Sequence, residues 1–336
     1  MNLNKNNNSV FIIAEGGDQH FGSVFMAKEM ALKAKLSGAD SIKFQHHLPD
    51  EEMLKNTPTS SNMNEPLYDF LVENALTIQQ HTEVSIYCDE IGIEYMCTPF
   101  SYKAAIELIE QTNIKRFKIG SGEMTDIPSL IKIAELGLPM IISTGMSTYI
   151  EIDETYEALK DIVKDLSLLY CISEYPPVYE DMNLMNVQTM QDRYPKAIIG
   201  HSDHTPDLFT VFAAVALGAK IVEKHVILDK KMPGPDQEVS IDFYDLSQLV
   251  DGVRKIELAM GNEKKIHEKE KEIRKWAFRS VVAIKDINKG EEIKESMVWT
   301  KRPGTGIPSK DLHKVIGKFA TTNIKKDTLI EWSQLK

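Results

Sequence analysis

The sequence predicts an α/β chain: a (β/α)8 TIM barrel followed by a small β-rich C-terminal domain. Three observations carry this. Eight short apolar, β-branched runs alternate with segments whose apolar residues recur at three-to-four spacing. The eight units occupy about 250 residues, the usual size of such a barrel. Beyond Gly261 the texture changes to dense charge and then to short strands and turns. A doubly wound parallel sheet is the alternative, although open sheets usually carry fewer strands.

The predicted strands are Val10 to Ala14, Ser41 to Gln45, Ile93 to Pro99, Arg116 to Gly120, Met140 to Thr144, Ser167 to Ile172, Ala197 to Gly200 and Lys220 to His225. Between them, Ser23 to Leu36, Ser101 to Thr112, Ser129 to Leu136 and Pro206 to Leu217 read as helices, opening on Ser or Pro. Gly38, Gly92, Gly137 and Gly218 each precede a strand, where a helix ends and the chain turns back. The gap between Gln45 and Ile93 is too long for one unit; with the polar stretch Lys55 to Glu65 it reads as a functional cover or a plain insertion. Asn262 to Lys275, with Ile266 and Ile273 its only aliphatics, predicts a solvated helical connector. From Arg279 come Ser280-Val281-Val282-Ala283, a turn at Asn288-Lys289-Gly290, and Lys301-Arg302-Pro303-Gly304-Thr305-Gly306. The predicted division is a barrel domain over 1–262, a charged linker over 263–276 and a tail domain over 277–336.

The 336 residues hold 39 basic and 50 acidic side chains, a net charge of −11, and are 42% apolar, which suits a sizeable core and excludes overall disorder. No global basic field exists to hold nucleic acid or an anionic membrane, so an anionic ligand needs a local site. The longest apolar stretch, Leu208 to Ala219, has 12 residues, short of a membrane span. Met1 to Ser9 is Asn-rich and carries no secretory pattern. Cys88, Cys97 and Cys171 lack CxxC spacing and predict free, buried thiols in a reducing cytoplasm.

Polar residues gather at the C-terminal ends of all eight predicted strands, where barrels of this type carry their chemistry. They are Glu15; Lys43 and Gln45; Thr98; Lys118, Ser121 and Glu123; Ser143; Ser173 and Tyr175; Ser202, Asp203 and His204; and Glu223, Lys224 and His225. Two lysines and several hydroxyls make a local site for phosphate or carboxylate. His204 and His225, on adjacent strands, could both ligate a divalent ion; two ligands suit a loosely held Mn2+ or Mg2+ better than tight zinc. Plainer readings stand beside these: a hydrogen-bonded core role for either histidine, a carboxylate partner for either lysine, and a solvated pair at His46-His47. Gly120-Ser121-Gly122 lacks the spacing of a nucleotide loop. Met182, Met185 and Met190 are expected to fill core gaps.

At these residues the chain resembles the sialic acid (N-acetylneuraminate) synthase family, which includes legionaminate and pseudaminate synthases. The matching stretches are Ile12-Ile13-Ala14-Glu15, Gly38 to Gln45, Thr98-Pro99-Phe100, Lys118 to Glu123, Ser143 to Met146, Ser202 to Thr205, Glu223-Lys224-His225 and Met232 to Asp236. Arg279-Ser280 and Lys301 to Ile307 resemble the family's antifreeze-like (SAF, β-clip-like) domain. The resemblance implies condensation of phosphoenolpyruvate with an open-chain N-acetylated amino sugar, N-acetylmannosamine or a 2,4-diacetamido-6-deoxy hexose, giving a nonulosonic acid and phosphate. It implies a divalent cofactor on His204 and His225, Mn2+ with Mg2+ or Co2+ as alternatives, and Glu15 at the C2 cation or its attacking water. Lys43, Thr98, Lys118, Ser121, Ser143, Ser173 and Ser202 would hold phosphoenolpyruvate; Gln45, Glu123, Tyr175, Glu223 and Asp236 would contact the sugar. Arg302 would reach the sugar's N-acetyl group from the partner in a domain-swapped homodimer. The charge division fits such docking: residues 1–262 carry 21 basic and 39 acidic side chains, net −18, and 263–336 carry 18 and 11, net +7.

The chain departs from the family at Gly16-Gly17-Asp18-Gln19-His20-Phe21-Gly22, at Ser173, often Asn, and at Pro206-Asp207, where a glycine is usual. The first bears on the sugar or water contacts of that loop, through Asp18 and Gln19; the other two fit a member with a different sugar. Two other classes compete: a Schiff-base aldolase or lyase using Lys118, Lys224 or Lys43, and a non-catalytic sugar-binding or cold-protective protein.

Overall fold

The computed structural model describes residues 9–58 and 65–336, so residues 1–8 of the polar leader and 59–64 of the Lys55 to Glu65 stretch lie outside the described residues. Eight parallel strands, β1 (Phe11–Gly17), β2 (Ser41–His46), β3 (Glu94–Pro99), β4 (Phe117–Ile119), β5 (Met140–Ser143), β6 (Leu166–Cys171), β7 (Ile198–Asp203) and β8 (Ile221–His225), follow one another round a barrel that β8 closes onto β1. The helices are α1 (Val24–Leu36), α2 (Pro49–Glu52), α3 (Leu67–Asn74), α4 (Ile78–Ile91), α5 (Tyr102–Gln111), α6 (Ile127–Ala134), α7 (Tyr149–Leu159), α8 (Asn186–Arg193), α9 (Phe209–Ala216), α10 (Phe243–Ala259), α11 (Glu268–Ala277) and α12 (Leu312–Val315). The closed barrel sets aside the doubly wound alternative.

Strand periodicity builds the site. Successive side chains on a strand point to opposite faces. Ile12, Ala14, Ile42, Phe44, Ile142 and Val222 therefore pack toward the helices, in the larger core. Phe11, Ile13, Met96, Ile141, Leu169, Ile198 and Ile221 form a separate apolar floor inside the barrel. Two residues further along the same strands, the next inward positions are Glu15, Thr98, Ser143, Cys171 and Glu223. The dry floor braces a polar upper layer.

Local signals set the helix starts. The Ser23 and Ser101 hydroxyls accept from the amides of Met26 and Ala104, capping α1 and α5. The α6 helix begins at Ile127 rather than Ser129, because Asp126 accepts from the Ser129 amide and Pro128 is tolerated in a first turn. The α9 helix is shorter than the Pro206 to Leu217 prediction. Met182 and Met190 are buried as expected, whereas Met185, just before α8, is 62% exposed. His46 and His47 are buried, so the solvated-pair reading fails.

The β7 strand runs to Asp203, three residues past its predicted end at Gly200. Gly200 marks a close approach instead of a stop: a Cβ there would stand 2.5 Å from the Ile221 carbonyl oxygen and 2.6 Å from Leu169 Cδ2. A backbone oxygen in a closed barrel cannot retreat cheaply. Gly200→Ala is expected to cost about 1–3 kcal/mol of stability, read as a lower unfolding midpoint.

Described residues up to Gly261 form one compact unit and Asn262–Lys336 a second. In the second, α11 precedes an antiparallel pair, β9 (Ser280–Ala283) with β10 (Val298–Lys301), extended by isolated bridges such as Ile287 to Ile324 and Val282 to Leu329. Its core is aliphatic, including Val281, Ile287, Ile293, Val298 and Ile330. Asn262 to His267 are not helical, so the helical connector starts later than predicted. The three cysteines are free and buried. No helix among the described residues is long and apolar enough to cross a membrane.

Candidate active site

The polar upper layer lines a cavity of about 800 Å³. Every barrel residue that the resemblance assigns to phosphoenolpyruvate, sugar or metal borders it: Glu15, Lys43, Gln45, Thr98, Lys118, Ser121, Glu123, Ser143, Ser173, Tyr175, Ser202, His204, Glu223, His225 and Asp236. Arg302 lies in the second unit, exposed, where its Nε donates to the Ala277 carbonyl and its guanidinium sits 5.6 Å from the Trp276 ring.

Two lysines and two glutamates form the floor of the site. Lys43 Nζ lies 2.7 Å from Glu15 Oε2 and 3.8 Å from Glu223 Oε2, and donates to Thr98 Oγ1. Lys118 Nζ lies 3.5 Å from Glu223 Oε1 and donates to Ser143 Oγ and the Ile119 carbonyl. Ser202 Oγ donates to Glu223 Oε1. All four charges are almost fully buried. Burial would raise the Glu223 carboxyl, but Lys118 and Lys43 overcome it and hold it at about 2. Burial lowers Lys118 below the usual lysine value, helped by Lys43 and opposed by Glu223. For Lys43 burial acts downward too, yet Glu15 and Glu223 carry it upward. With two cations matched to two anions, an incoming dianion meets ammonium groups already partly neutralised and already desolvated.

A second strand-end group holds the glutamate. Gln45 Nε2 donates to Glu15 Oε1 at 3.0 Å, while Gln45 Oε1 accepts from His47 Nε2 at 3.0 Å. His47 Nδ1 donates to Glu52 Oε2, and its ring stacks on Phe100 at 4.2 Å. Burial lowers the His47 imidazole, but Asp18 and Glu52 push it up to about 9, so it donates from both nitrogens near neutral pH. That fixes the Gln45 amide with its nitrogen toward Glu15.

On the β7–β8 side the His204 and His225 rings lie with centroids 5.2 Å apart. His204 Nδ1 donates to the Ile172 carbonyl, and its Nε2 lies within hydrogen-bond distance of the Tyr175 hydroxyl, at 3.0 Å. His225 Nδ1 is buried without a hydrogen-bond partner, 3.5 Å from Asp236 Oδ2. Two convergent imidazoles, one with an orphaned nitrogen, fit a divalent ion that takes its other ligands from water and substrate oxygens. Among the described residues no group of three or more His, Cys, Asp or Glu is placed as a ligand set, so a closed structural zinc site does not fit.

Hydroxyls complete the wall over β4 to β6. Ser121 Oγ accepts from the Gly145 amide, and a Cβ on Gly145 would fall 2.1 Å from Ser173 Oγ and 2.8 Å from Ser121 Oγ. Likewise a Cβ on Gly120 would meet Glu123 Oε2 at 2.5 Å. These glycines let side chains lie directly over backbone. Gly145→Ala is expected to displace both hydroxyls and to slow any reaction run in this cavity at least about tenfold, with a smaller change in unfolding midpoint; steady-state kinetics and thermal unfolding measure the two.

Two residues assigned to the strand ends face away. Asp203 and Lys224 pair with each other at 2.5 Å on the helix side of β7 and β8, alongside His201, Thr205 and Thr210. Alternation is the reason: their neighbours Ser202, Glu223 and His225 take the inward positions. Lys224 is thus unavailable as a cavity nucleophile. Conversely, Asp18, Phe100 and Cys171 border the cavity without having been given a role there. Period-two counting from Ser167 and Leu169 points to Cys171; no local pattern links Asp18 to His47 and Glu52.

A model of the NeuB family matches residues 30–265, and one of the SAF domain matches 278–336. The chain is 38% identical over 330 residues to the N,N'-diacetyllegionaminic acid synthase of Campylobacter jejuni, covering 95% of this chain and 98% of that one. It is 35% identical to the synthase of the same name from Legionella pneumophila, covering 97% and 94%. A crystal structure of the N-acetylneuraminic acid synthetase of Leptospira borgpetersenii, in complex with citrate, is similar with a TM-score of 0.73 and 29% identity, covering 80% of this chain and 91% of that one.

Proposed function

The chain belongs to the NeuB family and ends in a SAF domain; from that premise we propose that it is a transferase that condenses phosphoenolpyruvate with an open-chain N-acetylated amino sugar to give a nonulosonic acid and phosphate. The observation that carries the reading is the buried lysine and glutamate floor set beside the paired imidazoles in one cavity.

Lys43 and Lys118, with Thr98, Ser121, Ser143, Ser173 and Ser202, bind the phosphate and carboxylate of phosphoenolpyruvate through charge-assisted hydrogen bonds. Gln45, Glu123, Tyr175, Glu223 and Asp236 contact the sugar. His204 and His225 would hold a divalent ion, Mn2+ by preference, with Mg2+ or Co2+ as alternatives. When bound, the ion supplies Lewis-acid polarisation of the aldehyde oxygen. The C2=C3 electron pair of phosphoenolpyruvate bonds C3 to the aldehyde carbon as the aldehyde π bond breaks toward its oxygen, which takes up a proton to become a hydroxyl, and cationic character is left at C2. Glu15, aligned by Gln45 and Lys43, faces that charge and takes the proton of the water that adds there. The C2–O bond to phosphate breaks as the keto group forms. Arg302 of a partner copy would engage the N-acetyl group in a domain-swapped homodimer; Arg302→Ala is expected to raise the sugar KM several-fold with little change in kcat. The buried free thiols suit a reducing, cytoplasmic setting.

The test is a phosphate-release assay with phosphoenolpyruvate, Mn2+ and a panel of amino sugars, with mass spectrometry of the acid formed. Release of one phosphate per nonulosonic acid supports the reading. No release with any sugar would support a non-catalytic sugar-binding protein. Lys118, with its burial-lowered ammonium, keeps the Schiff-base alternative testable: borohydride trapping of a pyruvate adduct, with full activity in chelator, would overturn the condensation.

A further inference from the structure

A second cavity, of about 550 Å³, adjoins the first on the β3–β4 side, and Leu67, Phe100, Gly122 and Glu123 line both. Two carboxylate oxygens among its lining residues are buried and lack any hydrogen-bond partner: Glu52 Oε1, on a side chain only 5% exposed, and Glu123 Oε2. Glu52 is held in place from its other oxygen by His47 Nδ1 at 2.8 Å. A buried acceptor without a donor costs on the order of 1–3 kcal/mol and calls for one.

The sign of the cavity is also set. Glu51, Glu52, Glu123 and Asp126 line it against Lys103 and His47. Lys103 is engaged by Glu51 at 3.0 Å, and His47 lies between Asp18 and Glu52. Among the described residues lining it, no cation is left over for an anionic ligand. Burial raises the Glu123 carboxyl above its ordinary value, opposed by its own backbone amide and by Lys118.

Position decides what reaches it. In a closed barrel of sequential strands, β3 and β4 stand across the mouth from β7 and β8. Glu123 and Phe100, which line both cavities, are where a sugar with its aldehyde end at His204 and His225 would arrive if it crossed the mouth. We propose that the second cavity is the acceptor's distal subsite, taking a neutral or cationic substituent rich in N–H or O–H donors, such as an acetamido group, and excluding a terminal phosphate. The proposal rests on the condensation reading for the identity of the acceptor.

Calorimetric binding of N-acetylmannosamine, its 6-phosphate and a 2,4-diacetamido-6-deoxy hexose to the full chain, without phosphoenolpyruvate, tests the subsite separately from catalysis. The unphosphorylated sugars are expected to bind at least about tenfold more tightly than the phosphate. Glu52→Gln should narrow that ratio several-fold and Glu52→Lys should erase it, with folding of each variant checked by its unfolding midpoint. Equal or tighter binding of the 6-phosphate to the unaltered protein would overturn the proposal. So would an unchanged ratio in a folded Glu52→Lys variant, or no binding of any sugar. Failure of phosphate release in the assay above, with the binding preference intact, would overturn the reaction and leave the subsite standing.

Discussion

His225→Ala is expected to abolish metal-dependent turnover, with a loss of roughly a thousandfold or more, since Lewis-acid activation contributes several kcal/mol to such a barrier. The geometry makes this a clean variant. His225 sits at the end of β8 and its Nδ1 has no hydrogen-bond partner to strand, while Asp236 at 3.5 Å keeps access to solvent in the cavity. The fold should hold, with only a small shift in unfolding midpoint. Phosphate release with and without Mn2+, and Mn2+ binding followed by electron paramagnetic resonance, check it. Full turnover in the variant would remove His225 from the metal site.

Lys118→Met is expected to fail differently, because here a charge is left behind. Glu223, held at about 2 by Lys118 and Lys43, would keep Ser202 and a more distant Lys43 as its partners. Breaking such a buried pair costs about 3–5 kcal/mol of stability. The KM for phosphoenolpyruvate should rise at least about a hundredfold, through loss of a charge-assisted contact to the dianion. The pH profile supplies a second signature. Burial lowers the Lys118 ammonium from its ordinary value of 10.5, so in the unaltered enzyme the proton leaves earlier as pH rises. On the proposed reading phosphoenolpyruvate is held by the protonated form, so its KM should climb on the alkaline side before 10.5 is reached. Lys118→Met should lack that limb. An unchanged KM would show that Lys118 serves the fold alone.

Both variants act on residues that the sequence marked by position. Eight β-branched runs ending in polar residues gave the barrel and its mouth, because strand alternation and the helix period are local properties of the chain. The same local rule, applied one residue more strictly, separates Glu223 and His225 from Lys224, and Ser202 from Asp203. The end of β7 was misplaced because Gly200 is a breaker by propensity, whereas in the barrel it is the residue that lets β8 approach.

What the sequence alone determined is the set of inward positions: an apolar floor from Phe11 to Ile221, with Glu15, Thr98, Ser143 and Glu223 one step above it. What only the tertiary structure decided is which of them meet. Closure brings β1 against β8, setting Glu15 beside His225 in the ladder, and places both lysines around one glutamate. The Asp18, His47 and Glu52 contacts, and with them the acidic second cavity, join a loop after β1 to a short helix after β2. Burial and Coulomb pairing depend on distance through space and on exclusion of water, and neither is written in the spacing along the chain.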